Sequence, residues 1–508
     1  MTARQRKIKR VLVANRGEIA VRIIRACREL DLETVAVYSE ADRRSPFVHL
    51  ADTAVYIGPA ESSLSYLNME KIIEAAWQTG ADAIHPGYGF LAENAVFARK
   101  VEDKGLVFVG PTPETIELMG HKTASREAMR RAGVPVVPGT EKSVKSTAEA
   151  REIVASMDGY PIMLKAAAGG GGKGMRIVRH DAELDRALEA AQDEAQKAFG
   201  DASIYIEKYI ENPRHIEIQI LADQAGNIVH LYERECSIQR RHQKLIEECP
   251  SSVLTPAQRS RMGKVAIQAA RACHYRGAGT IEFLYDASGK FYFLEMNTRL
   301  QVEHTVTEMA LGMDLVKLQL LIAAGNPLPF TQTDIQPQGH AIECRINAED
   351  VYHDFTPSIG KITAFVPPDG PGIRVDSGIT VNSEISVHYD PLVAKLIAFG
   401  RDRNEAIARM KRALREFQIA GIHTTIPFCQ MVMSEKSFQK GEFNTGFVEK
   451  FWRDMVADDR DKNLFEIVAV AVKALQSGTV RNPGTNHSAN SRNGVSSWKL
   501  RGQKEALR

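Results

Sequence analysis

Two carboxylates and one amide, close together in the sequence, are the first groups that could do chemistry. The segment Thr280–Asn297, "TIEFLYDASGKFYFLEMN", predicts a β-hairpin with an Ala-Ser pair at its tip. In that register Glu282 opposes Phe293, lies diagonal to Glu295, and shares a face with Asn297. Such an oxygen set, about 7–8 Å across at the backbone, suits Mg²⁺ with a nucleotide. The alternative is a pair of solvated glutamates.

A dense polar run follows this hairpin. In "NTRLQVEH" the residues Arg299, Gln301 and Glu303 recur at every second position, so extended backbone places them on one side. A fixed guanidinium can hold an oxyanion through two hydrogen bonds, and a neighbouring carboxylate can take a proton. The alternative is a surface ion pair between Arg299 and Glu303.

A second polar segment, "SIQRRHQK", predicts a loop that is rich in hydrogen-bond donors. Its donors are Gln239, Arg240, Arg241, His242 and Lys244. Basic loops are usually solvated, but beside a phosphate site they become candidates for anion binding.

The glycine-rich stretch "KAAAGGGGKGM" lies between two short apolar runs that predict strands. A P-loop requires Ser or Thr after its lysine and then a helix, whereas Gly174 and a strand follow Lys173 here. We therefore predict a hairpin flap with Lys165 at its base, whose backbone can approach phosphates closely. The alternative is a flexible surface hairpin.

The elements around these motifs indicate an α/β protein. Strand and helix patterns alternate through the first hundred or so residues, which predicts βαβ units and a parallel sheet. The segment "TPETIELMGHKTASREAMRRAG" predicts one helix. From about Gly339 strands and turns dominate, which indicates a third domain ending near Trp452. The tail beyond it is rich in Ser, Asn and Gly, and we expect it to be partly disordered.

Composition excludes several classes of function. The 508 residues fit about three domains, and a net charge of +2 gives no general attraction to nucleic acid. No apolar run reaches the length of a membrane span. The six cysteines are scattered without a C-x-x-C pair, which argues against a zinc site or disulfide framework and for a reducing cytoplasm.

Together these stretches resemble the biotin carboxylase family of the ATP-grasp superfamily, from about Lys9 to about Lys450. Eight motifs in order carry the resemblance: "ANRGEIAVRIIRAC", "HPGYGFLAEN", "AAAGGGGKGM", "EKYIENPRHIEIQ", "ERECSIQRRHQK", "GAGTIEFLY", "FLEMNTRLQVEH" and "ECRINAED". The resemblance implies an α/β fold with a Rossmann-like N-terminal domain (residues 1–118), an ATP-grasp core (119–330) with a glycine-rich lid (about 135–208), a mixed α+β C-terminal domain (331–452) and the tail (453–508).

The resemblance also implies an activity, which is ATP-dependent carboxylation of biotin by bicarbonate through carboxyphosphate. The implied ligands are ATP, Mg²⁺ or Mn²⁺, and biotin as the carrier-bound substrate. ATP would be bound by Lys122, Lys165, Gly171, Gly172, Glu207, Lys208, Ile210, His215, Gln239 and His242. The metal would be held by Glu282, Glu295 and Asn297. Bicarbonate would be held by Lys244, Arg299, Gln301 and Val302, with Glu303 as the base and Arg345 facing biotin.

Some positions depart from the family pattern. His121 stands where an Asp commonly precedes the lysine, Ala167 and Ala168 shorten the glycine run, and Thr305 replaces a usual Pro. None of these changes removes a group with an implied chemical role, although the dynamics of the lid could differ.

Expected partners follow from the same resemblance. The segment "ARMKRALREF" predicts a helix rather than the hairpin turn of a biotin carrier, so we expect the biotin carboxyl carrier protein and the carboxyltransferase to be separate chains. A homodimer is expected, with no nucleic-acid or membrane partner. Two alternatives remain at this point: another ATP-grasp carboxylate–amine ligase, and a non-catalytic scaffold subunit of a carboxylase.

Overall fold

The computed structural model describes residues 6–140, 143–144, 146–157, 159–166, 175–199 and 202–452. The predicted lid glycines Gly171 and Gly172, the departures at Ala167 and Ala168, and the predicted partly disordered tail lie outside these residues. Within them, no helix combines the length and apolar character needed to cross a membrane.

The N-terminal part forms a five-stranded parallel sheet in the order β3-β2-β1-β4-β5, which confirms the predicted βαβ pattern. Its strands are β1 Arg10–Val13, β2 Glu33–Ser39, β3 Thr53–Gly58, β4 Ala83–His85 and β5 Val107–Phe108. Its helices are α1 Gly17–Arg28, α2 Pro46–Leu50, α3 Met69–Gln78 and α4 Ala95–Asp103. Helices cover both faces of a parallel sheet, so its central strand β1 buries Val11, Leu12 and Val13 completely.

Two helices follow where the sequence predicted one. They are α5 Pro113–Gly120 and α6 Lys122–Arg131. His121 between them has extended backbone (φ −90°, ψ 105°), which breaks the helical hydrogen-bond ladder after Gly120, a weak helix former. The single-helix prediction was wrong here, and the break makes Lys122 the first residue of α6.

A small antiparallel sheet forms the lid region, in the order β7-β6-β8. Its elements are α7 Thr147–Ser156, β6 Ile162–Ala166, β7 Met175–Val178, α8 Asp181–Phe199 and β8 Ile204–Lys208. Strands β6 and β7 pair with Lys165 opposite Met175, so the two runs flanking the glycine-rich segment form the predicted hairpin.

An eight-stranded antiparallel sheet carries most of the predicted site, in the order β13-β12-β9-β10-β11-β14-β21-β19. Its first five strands in chain order are β9 Arg214–Ala222, β10 Ile228–Arg240, β11 Gln243–Cys249, β12 Gly277–Tyr285 and β13 Phe291–Asn297. The helices of this part are α9 Pro256–Ala272, α10 His304–Leu311 and α11 Leu315–Ala323.

Strands from the C-terminal part continue this same sheet. The remaining strands are β14 His340–Asn347, β15 Glu349–Asp350, β16 Thr356–Pro357, β17 Gly360–Lys361, β18 Ala364–Val366, β19 Ile373–Ser377, β20 Glu384–Ile385, β21 Leu392–Gly400 and β22 Gln418–Ala420. The last helices are α12 Arg403–Glu416, α13 Ile426–Ser434 and α14 Lys436–Gln439. Because β14 pairs with β11, residues from the C-terminal part reach the site through regular sheet hydrogen bonding.

The segment "SIQRRHQK" is a tight hairpin and not the predicted loop. Strand β10 runs to Arg240 and β11 begins at Gln243, with only Arg241 and His242 between them. Both turn residues have positive φ (49° and 68°), as a two-residue turn that follows the twist of its strands requires. The prediction failed because neither residue is the Asn or Gly that usually marks such a turn.

Candidate active site

The carboxylate hairpin has a longer turn than the sequence suggested. Asp286 accepts hydrogen bonds from the backbone N–H groups of Ser288 (2.8 Å) and Lys290 (2.9 Å), and its own N–H bonds to the Lys290 carbonyl. The tip therefore spans Asp286 to Lys290 and is longer than the predicted Ala-Ser pair, and Tyr285 pairs with Phe291.

A β-bulge then changes the register once more. It lies between the pairs Glu282–Glu295 and Phe283–Phe293, so Glu282 stands directly opposite Glu295 and not diagonal to it. The predicted register was wrong, although the shared face was right. The Asn297 side chain donates to Glu282 Oε1 at 2.9 Å, so all three predicted metal ligands lie together.

Lys244 lies at the centre of three carboxylates. Its ammonium donates to Glu217 Oε2 at 2.5 Å, Glu303 Oε1 at 2.6 Å and Glu282 Oε1 at 2.8 Å. Burial alone would lower the lysine pKa, but the carboxylates, Glu217 foremost, raise it well above its usual value. Lys244 is therefore a permanent cation between the predicted metal site and the predicted base.

Glu217, a central member of this cluster, was missed in the sequence analysis. It is fully buried on β9, where the alternation of "HIEIQ" places it on the same face as His215. Burial would raise its pKa, yet Lys244 and Arg234 lower it strongly, so it is ionised. The signal that could have found it is a glutamate between isoleucines in a central strand, since unpaired buried charge is costly.

His215 adds a second positive charge to the cluster. Its Nε2 lies 3.2 Å from Glu282 Oε2 and 3.6 Å from Glu217 Oε2. Burial would lower the His215 pKa, but the Glu282 charge outweighs it and raises the pKa to about 9. The ligand atoms of His215, Glu217 and Glu282 lie within 4.8 Å of one another, but the protonated imidazole has no free lone pair, so His215 acts here as a cation and not as a metal ligand.

Arg234, also missed from sequence, lies fully buried beneath these groups. It donates to Glu217 (2.5 Å) and Gln301 (2.8 Å), and further to Gln219, Thr280 and Thr307. The guanidinium is thereby satisfied without solvent, as a buried charge must be. It fixes the carboxamide of Gln301, which in turn donates to Glu282 at 2.7 Å.

Glu303 and Arg345 meet on the other side of the cluster. Arg345 Nη2 donates to Glu303 Oε2 at 2.9 Å, and its Nε donates to Glu247 Oε1 at 2.6 Å. Burial would raise the pKa of Glu303, but the charges of Lys244 and Arg345 keep it below its usual value. Burial raises the pKa of Glu247 to about 7 despite Arg345.

Arg299 does not form the ion pair with Glu303 that the sequence offered as an alternative. Its Nε donates to Glu93 at 2.7 Å and its Nη2 to Asn297 at 3.0 Å, whereas Glu303 pairs with Lys244 and Arg345. The backbone turns at Val302 and Glu303 before α10, so the assumption of extended backbone fails at the end of the run. Glu93, in the motif "HPGYGFLAEN", is a further residue missed from sequence.

The described residues that were predicted to bind ATP are spread over α6, the lid region, β9 and the hairpin formed by β10 and β11. Glu207 forms ion pairs with Lys165 and Arg126, and Lys208 donates to the Gly159 carbonyl at 3.0 Å. Burial would raise the Glu207 pKa, but Lys165 and Arg126 lower it. The other predicted residues are an exposed Lys122 on α6, a half-buried Ile210 after β8, a buried Gln239 opposite Lys244, and an exposed His242 at the hairpin turn.

The arrangement combines two functions within one polar cluster. Opposed carboxylates can hold a divalent cation, and the lysine and arginine side chains around them can hold an oxyanion. The ionised Glu303 lies beside both and can accept a proton. The geometry thus suits a reaction in which an oxyanion attacks a metal-bound phosphate.

Comparison with known proteins agrees with this chemistry. Residues 7–116 match the family described as "Biotin carboxylase, N-terminal domain" and residues 121–331 match "Carbamoyl-phosphate synthase L chain, ATP binding domain". Residues 343–450 match "Biotin carboxylase C-terminal domain".

Individual relatives are similar over most of the chain. A biotin carboxylase of Nostoc is 55% identical over 444 residues, 87% of this chain and 99% of the relative. The 2-oxoglutarate carboxylase small subunit of Hydrogenobacter thermophilus is 50% identical over 473 residues, 92% of this chain and 99% of the relative.

A solved structure agrees as well. It is the biotin carboxylase domain dimer of Hydrogenobacter thermophilus 2-oxoglutarate carboxylase, in complex with MgADP, ADP and bicarbonate. It superposes with a TM-score of 0.80 at 51% identity, covering 89% of this chain and 99% of that one. The chain belongs to the biotin carboxylase family.

Proposed function

We propose that the clustered residues carry out the reaction of the family, ATP-dependent carboxylation of biotin by bicarbonate, with ADP and phosphate as products. The single observation that carries the assignment is Lys244 held between Glu282 and Glu303. It joins a cation-binding carboxylate and a candidate base through one ammonium group, which suits bicarbonate beside a metal-bound nucleotide.

We assign ATP binding to residues of the lid region and of the elements next to it. Lys122 and Lys165 are the proposed phosphate ligands, and Gly171 and Gly172 the proposed lid contacts. Glu207, Lys208 and Ile210 are proposed for the adenine pocket, with His215, Gln239 and His242 around the nucleotide. Lys165 pairs with Glu207 in the present structure, so the nucleotide phosphates would replace Glu207 as the partner of the Lys165 ammonium.

Mg²⁺ or Mn²⁺ fits the carboxylate hairpin. Like charges directly opposite one another across a sheet repel, and burial together with the Glu282 charge raises the pKa of Glu295. A hard divalent cation between Glu282, Glu295 and Asn297 removes this repulsion. Bound there, the metal would neutralise charge on the nucleotide phosphates.

Bicarbonate is assigned to Lys244, Arg299, Gln301 and the backbone of Val302. Glu303 is ionised and close to Lys244, so it can take the bicarbonate proton as the anion attacks the γ-phosphorus and ADP leaves with the β,γ-bridging oxygen. The resulting carboxyphosphate reacts rapidly with water, so a closing lid must exclude solvent. Arg345, held by Glu247 and Glu303, is the proposed contact to biotin.

The assembly follows from the same proposal. The relatives include subunits of pyruvate and 2-oxoglutarate carboxylases, and one solved domain is a dimer. We infer a homodimer that receives biotin on a separate carrier protein and works with a separate carboxyltransferase. The six buried free cysteines suit the reducing cytoplasm.

ADP release by the purified chain tests the proposal. Mg-ATP, bicarbonate and free biotin are supplied together, and each is left out in turn. ADP release that requires bicarbonate and rises with biotin is expected. Release that is indifferent to biotin in the presence of all other components would favour another ATP-grasp ligase.

A further inference from the structure

One buried lysine lies behind the cluster without a part in the proposed chemistry. Lys395 on β21 is fully buried and opposes Arg345 on β14. Directly opposed residues of antiparallel strands share a face, so Lys395 lies on the same side of the sheet as the proposed biotin contact. A fully buried lysine needs specific partners to offset its lost hydration.

Those partners come from two other parts of the chain. The Lys395 ammonium donates to the Val302 carbonyl at 2.9 Å and lies 3.1 Å from Glu18 Oε1. Glu18 belongs to the first turn of α1, in the motif "ANRGEIAVRIIRAC", and also accepts a hydrogen bond from the Tyr88 hydroxyl. The lysine therefore links the N-terminal part to the turn that precedes α10.

A close backbone contact at Gly378 holds the start of α1 near Lys395. Gly378 packs against the start of α1, where an added Cβ would clash with the Gly17 carbonyl carbon and lie 2.5 Å from the Glu18 nitrogen. A larger residue there would push α1 away from the C-terminal strands. The glycine at position 378 therefore allows α1 to pack closely against this part of the chain, and this packing brings Glu18 within reach of Lys395.

The Val302 carbonyl, to which Lys395 donates, lies directly before the proposed base Glu303. It belongs to the peptide that joins Val302 to Glu303, and Glu303 is the residue before α10 whose carboxylate meets Lys244 and Arg345. Holding that carbonyl fixes the peptide plane and, with it, the direction of the Glu303 side chain. Small displacements of a reacting group are costly in rate.

We propose that Lys395, held by Glu18, is a positioning residue that fixes the Val302–Glu303 turn for bicarbonate. This inference rests on the proposed function, because it assigns a further residue to the same site. Lys395 touches neither substrate nor metal in this assignment and acts through the turn.

Steady-state ADP release tests it with four variants: Lys395→Met, Glu18→Gln, their combination, and Arg403→Met as a control. Arg403 donates to Glu248 at 2.7 Å and to two backbone carbonyls, so its replacement removes a partly buried ion pair away from the turn. Lys395→Met should lower kcat and raise the KM for bicarbonate, so that kcat/KM for bicarbonate falls between roughly tenfold and 100-fold, with the KM for ATP nearly unchanged. Glu18→Gln should act in the same direction but less, and the double variant should resemble Lys395→Met.

A merely structural role predicts a different pattern. It would lower kcat or the folded fraction with both KM values unchanged, as expected for Arg403→Met. If Lys395→Met fails to fold, Glu18→Gln decides, and an unchanged KM for bicarbonate overturns the inference. Wild-type ADP release that ignores bicarbonate overturns the proposed function and this inference together, whereas normal wild-type dependence with unaltered variants overturns only the inference.

Discussion

Glu282 and Glu295 stand directly opposite each other on neighbouring antiparallel strands, because a β-bulge beside Glu282 shifts the hairpin register. Two carboxylates in this position repel when both are ionised. Their nearest cations are Lys244 and His215, which contact Glu282. Glu295 thus retains capacity for a metal ion.

Replacing Glu295 should separate metal binding from stability. Glu295→Gln removes the repulsion from Glu282, so the metal-free protein should gain about 0.2–1 kcal/mol in unfolding free energy. The same change should weaken Mn²⁺ binding in the presence of ADP, measured by electron paramagnetic resonance titration. The exposed Glu384→Gln is the control. Unaltered Mn²⁺ affinity in Glu295→Gln would place the metal elsewhere.

Lys244 should affect both the free energy of unfolding and the pH below which activity is lost. Lys244→Met leaves three carboxylates without their shared cation, which should destabilise the fold by about 3–5 kcal/mol. Burial would then raise the pKa of Glu303 unopposed by Lys244, so the remaining activity should be lost at higher pH than in the wild type.

The pH profile of kcat/KM for bicarbonate measures this shift. The pKa of Glu303 is lowered in the folded protein, so its contribution to stability is present above the unfolded pKa and lost as pH falls through the folded value. Identical acid limbs in wild type and Lys244→Met would contradict the coupling.

Much of the site could be predicted because its residues follow simple periodicities. The alternation in the hairpin placed Glu282, Glu295 and Asn297 on one face, and that face is the observed one. The predicted pairing of the two strands was wrong for two reasons. The Asp286 side chain binds the backbone of the turn and lengthens it, and the β-bulge beside Glu282 is not marked by any residue pattern in the sequence.

The missed residues have a common physical cause. Glu217, Arg234 and Glu93 make contacts between strands and segments that are distant in the sequence, and periodicity does not reveal such pairs. A charged residue between apolar neighbours was the available signal for Glu217, whereas Arg234 lies between two glutamates on β10 and had no such signal. The α/β class and the parallel N-terminal sheet were predictable because local hydrophobic pattern determines them.

Lys165 should act on ATP and not on bicarbonate. Lys165→Met removes a proposed phosphate ligand and also the partner of Glu207, so the KM for ATP should rise by about tenfold or more. The KM for bicarbonate should stay unchanged, since the bicarbonate residues lie on β11 and in the segment between β13 and α10. Arg151→Met, which breaks exposed ion pairs to Asp181 and Asp185 in the same region, is the control for general effects. Equal rises in both KM values would argue against a phosphate contact.

Glu343 should make stability depend on pH. It is fully buried, it accepts a hydrogen bond from Thr305, and burial raises its pKa to about 8. Because the folded protein binds this proton more tightly than the unfolded chain, stability is fully present below pH 4.5 and falls as pH rises through about 8.

Glu343→Gln should remove that dependence. The variant should exceed the wild type in unfolding free energy at pH 9 by an amount on the order of 1–4 kcal/mol and differ less near pH 5. Urea unfolding at both pH values measures the difference. A constant difference between the two proteins across this range would show that Glu343 is ionised throughout.

Carboxybiotin formation is the most direct measurement of the central claim. The purified chain is incubated with Mg-ATP, free biotin and ¹⁴C-bicarbonate, and acid-labile radioactivity on biotin is counted beside ADP release for wild type and Arg299→Ala. Wild type should form carboxybiotin only with ATP present, and Arg299→Ala should lose most of it because the bicarbonate contact is gone. ADP release without labelled biotin, in a chain that is folded and binds both ATP and biotin, would contradict the assignment as a biotin carboxylase.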